Sequence, residues 1–281
     1  MNKSREYILE HKVKKTVIYL LLIGGLIITL TPFIWSISTS FKSSAGIFAM
    51  PPELIPSEPT LEHYVRLFEE VDFIRHFINS TIVAVAVTIL GLFLNSLAGY
   101  AFAKFRFPGR DRIFTLFVIS LMVPGQVTMM PVFMILRSMG LINTFTGLII
   151  TGTISVFGIF LIRQFVQSIP NDLIEAARID GCSEFGIYWR VILPLCKPVL
   201  ATLGIFTFMS SWNSFLWPLI LMVREEMYTL PVALANLSGE HADQFGLLMA
   251  GAIVVVIPVI LVFLVAQKYI IEGISTSGLK G

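Results

Sequence analysis

With 281 residues that are 56% hydrophobic and only 14% charged, and a mean hydropathy of +0.83, this chain carries more apolar surface than water can hold in solution, which excludes an ordinary soluble domain. Its net charge of +2 does not argue for nucleic acid, because the basic residues flank apolar stretches. Six windows free of Asp, Glu, Lys and Arg each run 22 to 26 residues, against the ~20 that cross a bilayer, so the sequence predicts an all-α integral membrane protein with six transmembrane helices.

In chain order, the N-terminal segment 1–16 carries Lys3, Arg5, Lys12, Lys14 and Lys15 and leads into a first span at 17–40. That basic start imitates a signal peptide, but the apolar run exceeds the roughly 7 to 15 residues of one, which predicts a retained anchor. Thr60 is placed to cap a short helix whose Leu61, Tyr64, Val65 and Phe68 form an apolar stripe suited to the membrane interface. In the second span, 78–103, Gly91, Asn95, Gly99 and Ala103 recur every four residues and make a narrow face for a packed neighbour. Gly125 and Gln126, between Pro124 and Pro131, mark the third span, 113–136, for a kink or local unwinding. The fourth span is drawn at 145–162.

A polar island, 168–197, follows. Pro170 suits a helix start, Asp172 and Glu175 favour its positive end, and Gly181 ends it in a left-handed cap. Ser183 then offers an N-cap for a second helix to about Val191, stopped by Pro194, which gives a helix-turn-helix elbow. Ala176 and Ala177 leave one side of the first helix nearly bare, with Glu175 and Arg178 at its edges, a shape that another protein surface can approach closely. The alternative is an amphipathic loop resting on lipid.

The fifth span, 198–223, holds Thr207, Ser210, Ser211 and Ser214 within about 100° of helix surface, with Asn213, Trp212 and Trp217 close by. Such a stripe can line a path for a neutral, hydroxyl-rich solute, or its hydroxyls can bond to their own helix carbonyls. The loop 223–245 carries Glu225, Glu226, Glu240 and Asp243 and reads equally well as a contact surface or as a solvated connection. A sixth span, 246–267, precedes a polar, flexible tail at 272–281.

On alternate sides of these spans the 20 Lys and Arg divide fifteen to five, which puts both termini and the elbow in the cytoplasm. No G-x-x-x-x-G-K-[ST] loop is present, so ATP chemistry is not expected from this chain. The span centres lack ionisable residues, which counts against an ion-coupled carrier. Cys182 and Cys196 fall on the reducing side, and His11, His63, His76 and His241 are scattered, so no catalytic or metal site is expected.

Glu175-Ala176-Ala177, three residues, Gly181, nine residues, Val191, one residue, Leu193-Pro194 resembles the cytoplasmic signature loop of permease subunits of binding-protein-dependent ABC importers, with Val191 in place of the usual isoleucine. Phe48 to Thr60, Trp212 to Leu219, Tyr228 to Pro231 and Gln267 to Gly281 resemble the carbohydrate branch, and within it the maltose-type second permease subunit. The resemblance implies a type I importer permease in a bacterial or archaeal cell membrane. Its partners would be a second, non-identical permease, a cytoplasmic ATPase pair, an extracytoplasmic sugar-binding protein and membrane lipid. ATP and Mg would sit on the ATPase subunits, with no cofactor on this chain. Glu175, Ala176, Ala177, Arg178, Asp180 and Gly181 would dock the ATPase. Residues 223–245 would reach toward the binding protein, and the tail would insert near the ATPase interface. An importer subunit for another solute, or a self-sufficient carrier, remain the alternatives.

Overall fold

The computed structural model describes residues 2–69, 71–240 and 243–278, with side chains described between 11 and 267 except at 70, 241, 242 and 266. Among the described residues every regular element is helical. The chain divides into two units, residues 1–72 with 237–254 and residues 73–236 with 255–281.

In the first unit, α1 (Asn2–Ser40) unites the N-terminal segment and the first span in one helix. No Gly or Pro interrupts the sequence before Gly24, so nothing ends the helix at the membrane surface. Its apolar side chains from Leu20 to Ile28 are exposed, as suits a surface in contact with lipid or protein. A single turn, α2 (Ser44–Ile47), is capped by Ser43, and α3 (Glu62–Glu69) begins where Thr60 Oγ1 accepts from the Glu62 amide at 3.1 Å. Leu61, Val65 and Phe68 point outward from α3, and its other face buries His63 and Leu67. Tyr64 hydroxyl meets Ser40 Oγ at 2.9 Å, and His63 Nε2 meets the Lys42 carbonyl at 2.9 Å, which fastens α3 to the end of α1.

The second unit is built around α4 (Phe73–Lys104), which packs against α7 (Phe145–Thr153), α8 (Val156–Gln167) and α12 (Lys197–Trp212). The four-residue repeat makes this closeness possible. A Cβ on Gly91 would stand 3.0 Å from the Thr153 carbonyl, and one on Gly99 would stand 2.6 Å from Ile162 Cγ2.

Among the described residues, three helical stretches are long and apolar enough to cross a membrane unbroken: His11–Ser40, Phe73–Lys104 and Phe245–Val265. Over the expected third span the chain forms α5 (Arg110–Ser120) and α6 (Gly125–Ser138), bent by 106° at Leu121–Pro124. The fourth is α7 and α8, bent by 42° at Ile154, whose ψ of 122° is extended. The fifth departs from the continuous helix expected over 198–223: α12 ends at Trp212, and α13 (Leu216–Leu221) starts anew. Pro218 accounts for this, since it has no N–H to return to Ser214 and its ring would strike that carbonyl.

Residues 223–245 form a 3₁₀ turn (Glu225–Met227) and α14 (Leu230–Glu240), with His241 and Ala242 outside the described residues. Asn79 Nδ2 donates to the Glu226 and Tyr228 carbonyls at 2.8 and 3.0 Å, so the turn is fastened to α4 while Glu225 and Glu226 stay exposed. The last helix, α15 (Phe245–Gly278), carries helical backbone through 272–278, where a flexible tail was expected; residues 279–281 lie outside the described residues.

Candidate functional site

The elbow forms as two arms around a glycine. Its first arm, α9 (Asn171–Ile179), starts after Pro170 in extended conformation and is held to the end of α4 by Lys104, whose Nζ donates to the Ile169 carbonyl at 2.6 Å and to Asn171 Oδ1 at 2.8 Å. Gly181 has φ of +79°, the Cys182 amide returns to the Ala177 carbonyl at 3.0 Å, and the Gly181 amide returns to Arg178 at 3.0 Å. Those two bonds make a Schellman cap, the left-handed ending expected from the sequence. Ser183 Oγ then accepts from the Gly186 amide at 3.2 Å and opens α10 (Glu184–Ile187).

The second arm runs further than expected. After α10 the chain widens into a π-turn at Tyr188–Ile192 and continues through α11 (Leu193–Leu195) before an 81° bend at Cys196 into α12. Pro194 therefore lies inside the arm instead of ending it. In an α-helix its ring would press on the Arg190 carbonyl; a π-turn, with the Leu193 amide bonded to Tyr188, moves that carbonyl aside.

Residues 175–181 divide between two faces. Glu175, Ala176 and Asp180 are exposed, while Ala177, at 8% exposure, turns inward with Ile174 into a core that includes Ile187, Tyr188 and Val166. Ala177 thus belongs to the seat of α9 and not to its outer surface. Ile179, 87% exposed, and Leu173 share the outer surface with Ala176, two apolar positions the sequence reading passed over. Their signal was present: Leu173, Ala176 and Ile179 recur every three residues, a stripe centred on Ala176, which lies about 100° around the helix from Ala177 and about 160° from Ile174.

Arg178 Nε donates to Glu184 Oε1 at 2.7 Å across the bend, and the Arg178 guanidinium holds that carboxyl below the usual carboxylate range. The pair ties the arms together at their tips, both partners being about half exposed.

A second feature lies beside α12. A cleft of roughly 540 Å³ is lined by Thr207, Ser210, Ser211, Ser214 and Trp217, so the structure brings five of the six stripe residues together. Asn213 is absent from it; its Nδ2 donates back to the Met209 carbonyl at 2.8 Å and helps to end α12. Among the described residues, none of the four stripe hydroxyls is engaged by a helix carbonyl, whereas Thr202, further back on the same helix, bonds to Pro198. Four hydroxyl residues that the sequence reading missed, Ser80, Thr151, Ser155 and Thr229, line the same cleft from α4, from α7 and its junction with α8, and from the entry to α14; the hydroxyls of the first three bond to the Leu230 amide, the Leu148 carbonyl and the Gly158 amide. Nothing in one-dimensional spacing marks them, because they come from three separate elements. Phe157 and Phe206 add aromatic surface, and none of the described lining residues is ionisable. Among the described residues, no group of three His, Cys, Asp or Glu is placed to hold a metal ion.

Residues 88–276 match the model of a family described as binding-protein-dependent transport system inner membrane component. The arabinooligosaccharides transport system permease protein AraQ of Halalkalibacterium halodurans is 35% identical over 257 residues, 90% of this chain and 92% of that one. The diacetylchitobiose uptake system permease protein NgcG of Streptomyces coelicolor is 34% identical, over 91% of this chain and 85% of that one. A crystal structure of a bacterial ABC transporter involved in the import of the acidic polysaccharide alginate superposes with a TM-score of 0.84 at 27% identity, covering 92% of this chain and 97% of that chain.

Proposed function

Because the chain belongs to the family of binding-protein-dependent transport system inner membrane components, we propose that it is the permease subunit of an ATP-driven sugar importer, that it crosses the membrane six times with both termini in the cytoplasm, and that its elbow receives the ATPase. The observation that carries the docking role is the outer surface of α9. Ala176 allows close approach, Ile179 is an exposed apolar anchor, and Glu175 and Asp180 supply charge at the edges. An apolar residue exposed at the tip of a cytoplasmic elbow is explained by a partner that covers it.

In this reading the ATPase pair binds ATP and Mg and closes, α9 moves with it, and the chain forms half of a pathway whose other half is a second permease. An extracytoplasmic binding protein delivers the solute. The cleft suits a sugar: the hydroxyls of Thr207, Ser210, Ser211 and Ser214 match a polyhydroxylated ligand, aromatic rings offer it flat faces, and the absence of charge in the described lining fits a neutral solute. The relatives named for arabinooligosaccharides and diacetylchitobiose support that substrate class.

Purification of the tagged chain from its native membrane tests the docking role. Wild type is expected to bring down an ATPase subunit and a second permease. Glu175→Lys and Gly181→Asp are expected to lose the ATPase selectively while keeping the permease. Retention of the ATPase by both variants would refute it.

A further inference from the structure

The elbow and the cleft touch the same helix at consecutive residues, Asn95 and Ser96 of α4. Successive helical positions diverge by about 100°, so two neighbours can serve two different partners. Asn95, 1% exposed, reaches the break between α7 and α8. Its Nδ2 donates to the Thr153 carbonyl at 3.2 Å, and its Oδ1 accepts from the Ser155 amide at 3.0 Å. One side-chain amide thereby satisfies a carbonyl and an N–H that the break has released from helical bonding, groups that hydrocarbon cannot satisfy. Gly91 and Gly158 leave the space it occupies: a Cβ at Gly158 would lie 3.3 Å from the Asn95 amide. Ser155, held in this way, lines the cleft together with Gly152 and Ile154, the two neighbours of the clamped Thr153.

Ser96, 2% exposed, faces the elbow. Its Oγ meets the Tyr188 hydroxyl at 2.8 Å, and Tyr188 sits at the start of the π-turn in the second arm. Phe93 and Tyr100, three and four residues either side of Ser96 on the same face, hold the Tyr188 ring at centroid distances of 6.4 and 5.9 Å. The wide π-turn carries Tyr188 and Pro194 together, so a displacement of the elbow displaces the Tyr188 hydroxyl.

We propose that Asn95 and Ser96 are positioning residues that transmit elbow movement to the cleft wall, with the Ser96–Tyr188 hydrogen bond as input and the Asn95 clamp on the α7–α8 break as output. The inference rests on the importer reading above and adds to it the route through this chain. The input is one hydrogen bond between buried hydroxyls, which can be cut with little change of volume, and the output is a pair of hydrogen bonds from one buried amide. Tyr188→Phe and Ser96→Ala remove the input, Asn95→Ala removes the output, and Ser96→Thr keeps a hydroxyl in place.

The test uses the assembled importer in proteoliposomes with its ATPase pair, second permease and binding protein. Cys182 and Cys196 are replaced and Ser210→Cys is introduced as a reporter in the cleft. Two quantities are measured: ATP hydrolysis, and labelling of the reporter by a polar thiol reagent with and without ATP and vanadate. In Tyr188→Phe and Ser96→Ala the nucleotide-dependent change in labelling is expected to shrink by about two- to tenfold, which is what one buried hydrogen bond is worth as an equilibrium constant, and in Asn95→Ala, which removes two, by at least as much. Hydrolysis is expected to continue, and Ser96→Thr to restore the labelling response. Undiminished switching in all three variants would overturn the proposal, as would hydrolysis and switching falling in proportion, the mark of a merely structural role. A parent complex whose reporter ignores nucleotide overturns the pathway reading as well, and is recognised before any α4 variant is made.

Discussion

Gly99→Ala is a sharp probe of the packing on which both features depend. The added Cβ would stand 2.6 Å from Ile162 Cγ2, 2.7 Å from Ile162 Cβ and 3.1 Å from the Arg163 amide nitrogen. Carbon atoms rest at ~3.5–4.0 Å, so α4 and α8 must part by about 1 Å. Overpacking of this kind costs ~1–3 kcal/mol. At roughly 2–4 °C per kcal/mol for a chain of this size, the midpoint for heat-induced loss of monodisperse complex in detergent is expected to fall by about 2 to 12 °C. The geometry also dictates how the cost depends on the neighbour. In an Ile162→Ala background the Cβ at 2.7 Å remains, so most of the penalty persists; in an Ile162→Gly background both close carbons are gone and the penalty shrinks to that of the 3.1 Å approach. Size-exclusion chromatography after a heating series measures all four corners of each cycle. An unchanged midpoint for Gly99→Ala, or one equal cost in every background, would refute the close approach of α4 to α8.

Gly181→Ala is expected to weaken the elbow cap by ~1–2 kcal/mol, through its φ of +79° alone because no atom lies within 4 Å of the added Cβ, and faster amide exchange at the end of α9 would register it. The Arg178–Glu184 pair gives the elbow a pH dependence with a definite sign. Since the folded Glu184 carboxyl is held below its ordinary value of 4.5, its contribution is complete above that value and is lost as pH falls through the lower, folded value. Exchange in the elbow, corrected for its intrinsic rate, is therefore expected to stay flat from pH 7 to about 5 and to rise only at more acid pH. Glu184→Gln should abolish that rise. Cysteines at Thr207, Ser210 and Ser214 are expected to react with a polar thiol reagent and to be protected by transported sugar, while one at Asn213, off the cleft, gains no protection.

Local chemistry explains which parts of this fold were legible in the sequence. The charge-free windows, the left-handed Gly181, the Ser183 cap and the four-residue repeat of α4 each depend on residues close in the chain. Ala177 was misplaced because a pair of alanines was read as one surface, although adjacent helical positions face about 100° apart and Ile174 fixes Ala177 on the buried side. The end of α12 and the π-turn were signalled by Pro218 and Pro194, whose effects fall four residues upstream, while hydropathy averages across both. The cleft was half legible: a stripe on one helix shows in spacing, but Ser80, Thr151, Ser155 and Thr229 meet it only after the chain has folded. The bend at Ile154 had no mark within 145–162 strong enough to announce it, because what holds it is Asn95, from another span.

That dependence has a consequence for biogenesis. A segment entering hydrocarbon alone must satisfy its backbone within itself, and although Ser155 caps the Gly158 amide from inside 145–162, the Thr153 carbonyl and the Ser155 amide are bonded only by Asn95 of α4. It must therefore enter as an unbroken helix and acquire its bend only when α4, made earlier in the chain, offers Asn95 as a template. The cleft wall is then a product of assembly, created late by one span reshaping another, and a chain defective at position 95 would insert with its full set of helices yet fail at the step that turns a bundle of spans into a pathway.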